Sequence, residues 1–151
     1  MKFSKNRNPA VPGFKATGLS CGLKAKNIKD LALIVSEVPA TAAGVFTKNR
    51  VVSPGVTWSR RALSKSGRCR AIVVNSGNAN TVVGEKGFAD CDAITKKVAE
   101  ELSIPQGEVL IASTGVIGVP LPSHKILQAA PQLVQELGKS KNNWTSASEA
   151  I

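Results

Sequence analysis

The clearest chemical signal in this sequence is Ser113-Thr114-Gly115, which directly follows the apolar run Val109-Leu110-Ile111-Ala112. A glycine just past a strand lets the backbone turn so that its N–H faces open space. The neighbouring threonine adds a hydroxyl donor. Two donors aimed at one point can form an oxyanion hole, which stabilises the charged oxygen of a tetrahedral intermediate in acyl transfer. The competing reading is an ordinary strand-end turn.

Other catalytic sets are missing. His124 is the only histidine, so a serine–histidine–aspartate set would have to be built on it alone. His124 reads instead as a surface residue at a helix start. Asp90 and Asp92, two apart on a helix, point to different faces. Gly77 to Gly84 followed by Glu85-Lys86 misses the phosphate-loop pattern, and no Gly-x-Gly-x-x-Gly follows a strand. Cys21, Cys69 and Cys91 are far apart and read as free thiols. No metal site and no resident cofactor is expected.

The elements that must hold Thr114 and Gly115 can be read from hydrophobic pattern. Residues 1–12 are polar with two prolines and read as an extended basic arm. A domain is expected over residues 13–151, incomplete at its C-terminus. Gly13 to Gly22 suggests a first strand, and Leu31-Ala32-Leu33-Ile34-Val35 a strand buried on both faces. Pro39 is expected to end it, with Ala42 to Thr47 returning as an antiparallel partner. Arg60 to Lys65 suggests a short helix ended by Gly67. Ala71 to Val74 and Val109 to Ala112 are expected to be interior strands. The first leads into a loop over Asn75 to Asn80, the second into one over Ser113 to Gly118.

Between those strands, Phe88, Cys91, Thr95, Val98 and Leu102 form a stripe of helical period, predicting a helix over 87–102. Ser123 is expected to cap a helix carrying Ile126, Leu127 and Ala130, which Pro131 kinks or divides. Ser146-x-x-Glu149 reads as a capping box at the start of a further helix. Strand, glycine loop and helix occur twice, so the fold class is α/β: a layered domain of mixed sheet with packed helices.

Composition sets the boundaries. With 42% hydrophobic and 20% charged residues, the 151-residue chain reads as globular. No apolar run approaches the roughly 18 residues needed to cross a bilayer, so no membrane association is expected and the location is read as cytoplasmic. The net charge is +10, and seven basic residues without an acid lie between Lys48 and Arg70. Nucleic acid is not the expected partner, because the chain has no tyrosine and few other aromatics for stacking. A solvated face, or a surface for anionic substrates or an acidic partner chain, fits better.

Several long runs resemble the glutamate N-acetyltransferase (ornithine acetyltransferase) family of arginine biosynthesis. They are Asp30 to Val35, Val38-Pro39-Ala40-Thr41-Ala42-Ala43-Gly44-Val45-Phe46-Thr47, Val73-Val74-Asn75-Ser76-Gly77-Asn78-Ala79-Asn80, and Ala112 to Pro122. The resemblance extends from about Gly13 onward. It implies the α-chain portion of a precursor that cuts itself into α and β chains, which assemble as a hetero-oligomer. The β chain's N-terminal threonine is then the nucleophile, with its own amine as base. The acetyl group passes from N-acetylornithine, or in some members from acetyl-CoA as co-substrate, to glutamate.

The family's oxyanion donors, a Thr-Gly pair, fall on Thr114 and Gly115. Asn75 to Asn80 matches a family signature and reads as structural, organising a turn by amide hydrogen bonds. The sequence departs from the family at Thr81-Val82-Val83-Gly84, where Ala-Cys-Thr-Gly is usual. It also ends before the family's cleavage point, so this chain alone is expected to be inactive. A second reading is a non-catalytic fragment that only folds or binds a partner chain.

Overall fold

The computed structural model describes residues 10–25 and 27–151, so most of the expected N-terminal arm lies outside the described residues. Its strands are β1 (Phe14–Leu19), β2 (Leu31–Thr41), β3 (Arg68–Asn78) and β4 (Val109–Val116). The helices are α1 (Pro54–Ser66), α2 (Glu85–Leu102), α3 (Ser123–Gln135) and α4 (Lys141–Glu149), with a 3-10 turn, Gln106–Glu108, before β4. The sheet order is β1-β2-β3-β4; the first two pairings are antiparallel and the last is parallel. A parallel pair needs a crossover, which α2 supplies. The fold is thus the mixed-sheet α/β architecture expected.

Two apolar layers flank the sheet. On one face Leu31, Leu33, Val73, Val109 and Ile111 share a core with Cys91, Ile94 and Val98 of α2 and Ile126 and Leu133 of α3. On the other, Ala16, Ala32, Ile34 and Val74 meet Trp144, Ala147 and Ala150 of the α4 region. The alternation of strand side chains explains why Leu31-Ala32-Leu33-Ile34 is apolar throughout: both faces are covered.

Several local expectations are corrected. β2 does not stop at Pro39 but runs to Thr41, with a register irregularity between Val35 and Ala40. A bulge leaves a residue unpaired, which suits a proline without an N–H. Ala42 to Thr47 forms no strand, because β1 and β3 already occupy both edges of β2. Phe46 instead stacks under the Arg60 guanidinium, 5.4 Å from the ring centroid.

α1 begins well before Arg60. Ser53 accepts a hydrogen bond from the Val56 N–H and Pro54 opens the helix, while Gly67 closes it in the left-handed region as expected. In α2 the buried line is Gly87, Cys91, Ile94, Thr95 and Val98; Phe88 is 44% exposed, against expectation. A side chain at Gly87 would crowd Pro54, Val83 and Asn80, so this close contact fixes the helix rotation and turns Phe88 outward.

α3 runs unbroken through Pro131, and Ser123 does not cap it; the Ser123 hydroxyl donates to Asp90 Oδ1 at 2.6 Å. α4 is capped by Ser140, with Asn143 completing the capping box, so Ser146 lies inside the helix. Asparagine in place of the usual glutamate or glutamine hid that start.

β4 is an edge strand, not an interior one. Its outward backbone is nevertheless satisfied where α1 lies beside it. Trp58 Nε1 donates to the Val109 carbonyl at 3.0 Å, and Ser59 Oγ donates to the Ile111 carbonyl at 3.0 Å. The same hydroxyl accepts from the Ile111 N–H at 3.1 Å.

Candidate active site

The two segments expected to be loops after β3 and β4 are in fact a continuation of the ladder. Asn75 pairs with Ser113, Ser76 with Thr114, Gly77 with Gly115 and Asn78 with Val116. Thr114 therefore sits within β4 rather than beyond it. Gly77 and Gly115 face each other at φ of 99° and 134°. A Cβ on Gly115 would overlap the Gly77 carbonyl carbon and the Asn78 nitrogen. Only glycine permits that approach.

Backbone alternation fixes where the donors point. The Ile111 N–H and C=O face α1, on the free side of β4, while the Val116 carbonyl turns inward to accept from Ala79 N–H at 2.9 Å. Ser113 and Gly115 share the parity of Ile111, so their N–H groups face the free edge. Thr114 projects from the sheet face that carries α4, beside Ser76, whose hydroxyl donates to the Ala150 carbonyl at 2.6 Å. Thr114 and Gly115 are both exposed, and among the described residues the Thr114 hydroxyl has no hydrogen-bond partner. The hydroxyl leaves the sheet perpendicular to it and the Gly115 N–H leaves in its plane. Both groups lie at one exposed corner of the sheet.

Asparagines hold that corner. Asn75, buried, accepts from Ser113 Oγ at 2.6 Å and donates from Nδ2 to the Asn78 carbonyl at 2.9 Å. Asn78 donates to the Val119 carbonyl at 2.9 Å and accepts from Asn80 N–H at 2.8 Å. Asn80, at φ 49°, donates to the Gly87 carbonyl at 3.1 Å. The structural reading of this asparagine run is thereby sharpened. The sequence reading missed the cross-strand tie between Asn75 and Ser113, although each stands four residues after the start of its apolar run. Val82, in the stretch that departs from the family, has φ 60°, an unfavourable conformation for a β-branched residue.

Among the described residues no activated thiol or histidine accompanies Thr114 and Gly115. Burial pushes the Cys21 thiol up to about 12, helped by the Asp30 carboxylate beside it, and pushes Cys91 up to about 11. Burial also raises Cys69. Thiols held protonated at neutral pH are inert. Asp30 is itself occupied, accepting N–H bonds from Cys21, Leu23 and Lys24 at 2.6–2.8 Å. His124 is exposed near the start of α3. Among the described residues no three His, Cys, Asp or Glu side chains gather as a metal site, and no helix is long and apolar enough to cross a membrane. The basic residues of 48–70 take part in none of the ion pairs between described residues, which join Lys29 to Glu149, Lys86 to Asp90, Lys97 to Glu101 and Lys139 to Glu37.

A mixed-sheet α/β domain whose edge strand ends in an exposed Thr-Gly pair is the class of protein that the fold defines. Residues 15–151 match the ArgJ family, and the chain belongs to it. It is 49% identical over 140 residues to the arginine biosynthesis bifunctional protein ArgJ of Caldanaerobacter subterraneus, covering 92% of this chain and 34% of that protein. With the protein of the same name from Thermosynechococcus vestitus it shares 45% over 142 residues, 94% of this chain and 33% of the relative.

Among solved structures it is similar to the ornithine acetyltransferase of Mycobacterium tuberculosis complexed with ornithine. The TM-score is 0.90 at 39% identity, over 95% of this chain and 77% of the other. The ArgJ protein of Bacillus halodurans gives a TM-score of 0.89 at 36% identity, over 95% and 73%. The chain thus spans about a third of the length of the curated relatives it matches.

Proposed function

We propose that this chain is the α-chain portion of a glutamate N-acetyltransferase/ornithine acetyltransferase of arginine biosynthesis and supplies its oxyanion hole through Thr114 and Gly115. The observation that carries the reading is the Gly77–Gly115 contact at the end of the β3–β4 pair. It leaves an unpartnered threonine hydroxyl and an edge-facing N–H at one corner. Membership of the ArgJ family and the likeness to an ornithine-bound acetyltransferase support the substrate class. The matched crystallographic chains are only modestly longer than this one, while the curated relatives are about three times longer. That difference supports a protein divided into two chains.

In this reading the β chain's N-terminal threonine attacks the acetyl carbonyl of N-acetylornithine, its own amine taking the hydroxyl proton. Negative charge grows on the carbonyl oxygen, which the Thr114 hydroxyl and Gly115 N–H receive. The tetrahedral intermediate collapses with loss of ornithine, whose nitrogen takes the proton. The acetyl-enzyme then gives its acetyl group to the glutamate amine by the reverse sequence. Acetyl-CoA is the alternative donor in some members of the family, no resident cofactor is needed, and the reaction takes place in the cytoplasm.

The test is Thr114→Ala in the two-chain enzyme. One lost donor should lower kcat by roughly a hundred- to a thousandfold, about 2.7–4 kcal/mol. KM should change little, because the charge exists only in the transition state. Thermal stability should fall by no more than about 1 kcal/mol. A variant turning over at the wild-type rate with a lower melting temperature would make Thr114 structural and remove the oxyanion role.

A further inference from the structure

An oxyanion hole works only if its donors are held still before the charge arrives. Thr114 and Gly115 are exposed on an edge strand, and among the described residues the hydrogen bonds by which α1 covers Val109 and Ile111 reach no further along it. The backbone ladder with β3 holds that end of β4 on its inner edge, and one buried side chain adds to it. The side chain that joins it to the interior is Asn75, which is 2% exposed. Its Oδ1 takes the Ser113 hydroxyl one residue before Thr114, and its Nδ2 holds the Asn78 carbonyl one residue after Gly77. Gly77 is the residue against which Gly115 packs. One carboxamide therefore ties β3 to β4 on the near side of both donors and fixes the backbone that Gly115 rests on.

We propose, building on the acetyl-transfer reading above, that Asn75 and Ser113 are positioning residues for the oxyanion hole. Neither touches the reacting atoms, since Asn75 is buried on the face opposite the Thr114 side chain. They set the angle at which Thr114 Oγ1 and the Gly115 N–H meet the developing charge. A misplacement of about 1 Å costs on the order of a hundredfold in rate, so loss of this tie should appear in kcat out of proportion to stability.

The experiment is made on the two-chain enzyme, reading acetyl transfer from N-acetylornithine to glutamate and thermal melting on the same preparations. Ser113→Ala should lower kcat by about ten- to a hundredfold with KM within about twofold of wild type. Ser113→Thr, which keeps the hydroxyl, should recover most of that loss. Asn75→Asp gives an independent readout, and decides the matter if Ser113→Ala does not fold. Ionised, the new carboxylate opposes the Asn78 carbonyl; protonated, it reproduces both bonds of the amide. Its kcat relative to wild type should therefore rise as pH falls through the new carboxyl's pKa, which a purely structural role would not produce. A Ser113→Ala enzyme within twofold of the wild-type kcat, or an Asn75→Asp ratio that stays flat with pH, overturns the proposal. If Thr114→Ala is slow while these variants stay fast, positioning alone fails; if Thr114→Ala is also fast, the oxyanion reading fails with it.

Discussion

Two thiols shielded from water, Cys91 buried and Cys21 half-buried, should give this protein an alkaline weakness. Cys91 lies in the main core and Cys21 sits against Asp30, and their pKa values are raised from 9.0 to about 11 and about 12. The folded state therefore holds both protons more tightly than the unfolded chain does. That preference contributes stability below the unfolded value, near pH 9, and it is lost as pH rises toward the folded values. Urea melts near pH 8 and about pH 10.5 should show wild type losing stability relative to a Cys21→Ser, Cys91→Ala variant. A difference that stays constant over that interval would mean that neither thiol feels its burial.

Among the elements, α1 has the least expected role. Its sequence suggests a basic surface helix, yet Trp58 and Ser59 reach back to satisfy the free edge of β4. An unprotected edge strand exposes unpaired N–H and C=O groups. Ser59 is buried, and its one hydroxyl serves both backbone groups of Ile111. Ser59→Ala should cost about 1–3 kcal/mol by leaving them unsatisfied. A chain of this size loses roughly 2–4 °C in Tm for each kcal/mol. A melt unchanged by Ser59→Ala would show that the edge needs no such partner.

At the scale of the whole molecule the two sheet faces are covered unequally. α2 and α3 fill one face, while α4 covers part of the other and leaves Ile72, Ala112 and Thr114 exposed. Val116 at the end of β4, and Ile117, Val119 and Val82 on neighbouring loops, add exposed apolar groups. Thr114 thus stands on the less covered face of the sheet, with no activated nucleophile beside it among the described residues. The 151-residue chain alone should not move acetyl from N-acetylornithine to glutamate, and adding the matching remainder should restore turnover. Measurable transfer by the purified chain alone would end the two-chain account.

The sequence by itself determined the α/β class, the strands at Leu31 to Val35, Ala71 to Val74 and Val109 to Ala112, and the helix over 87–102. These follow from hydrophobic period, a local property of the chain. It also singled out Thr114-Gly115, through a residue pair and a family resemblance. Tertiary structure decided the rest. Whether Pro39 ends β2 depended on a bulge against β3, and the rotation of Phe88 on how close Gly87 comes to Pro54. The fate of Asn75 to Asn78 and Ser113 to Val116 turned on two glycines meeting across a parallel ladder. Glycine reads as a turn in one dimension, because its freedom is all a single chain displays. Only when Gly77 and Gly115 are brought face to face does the missing Cβ become a contact, and two expected loops become the paired strand ends that carry the candidate site.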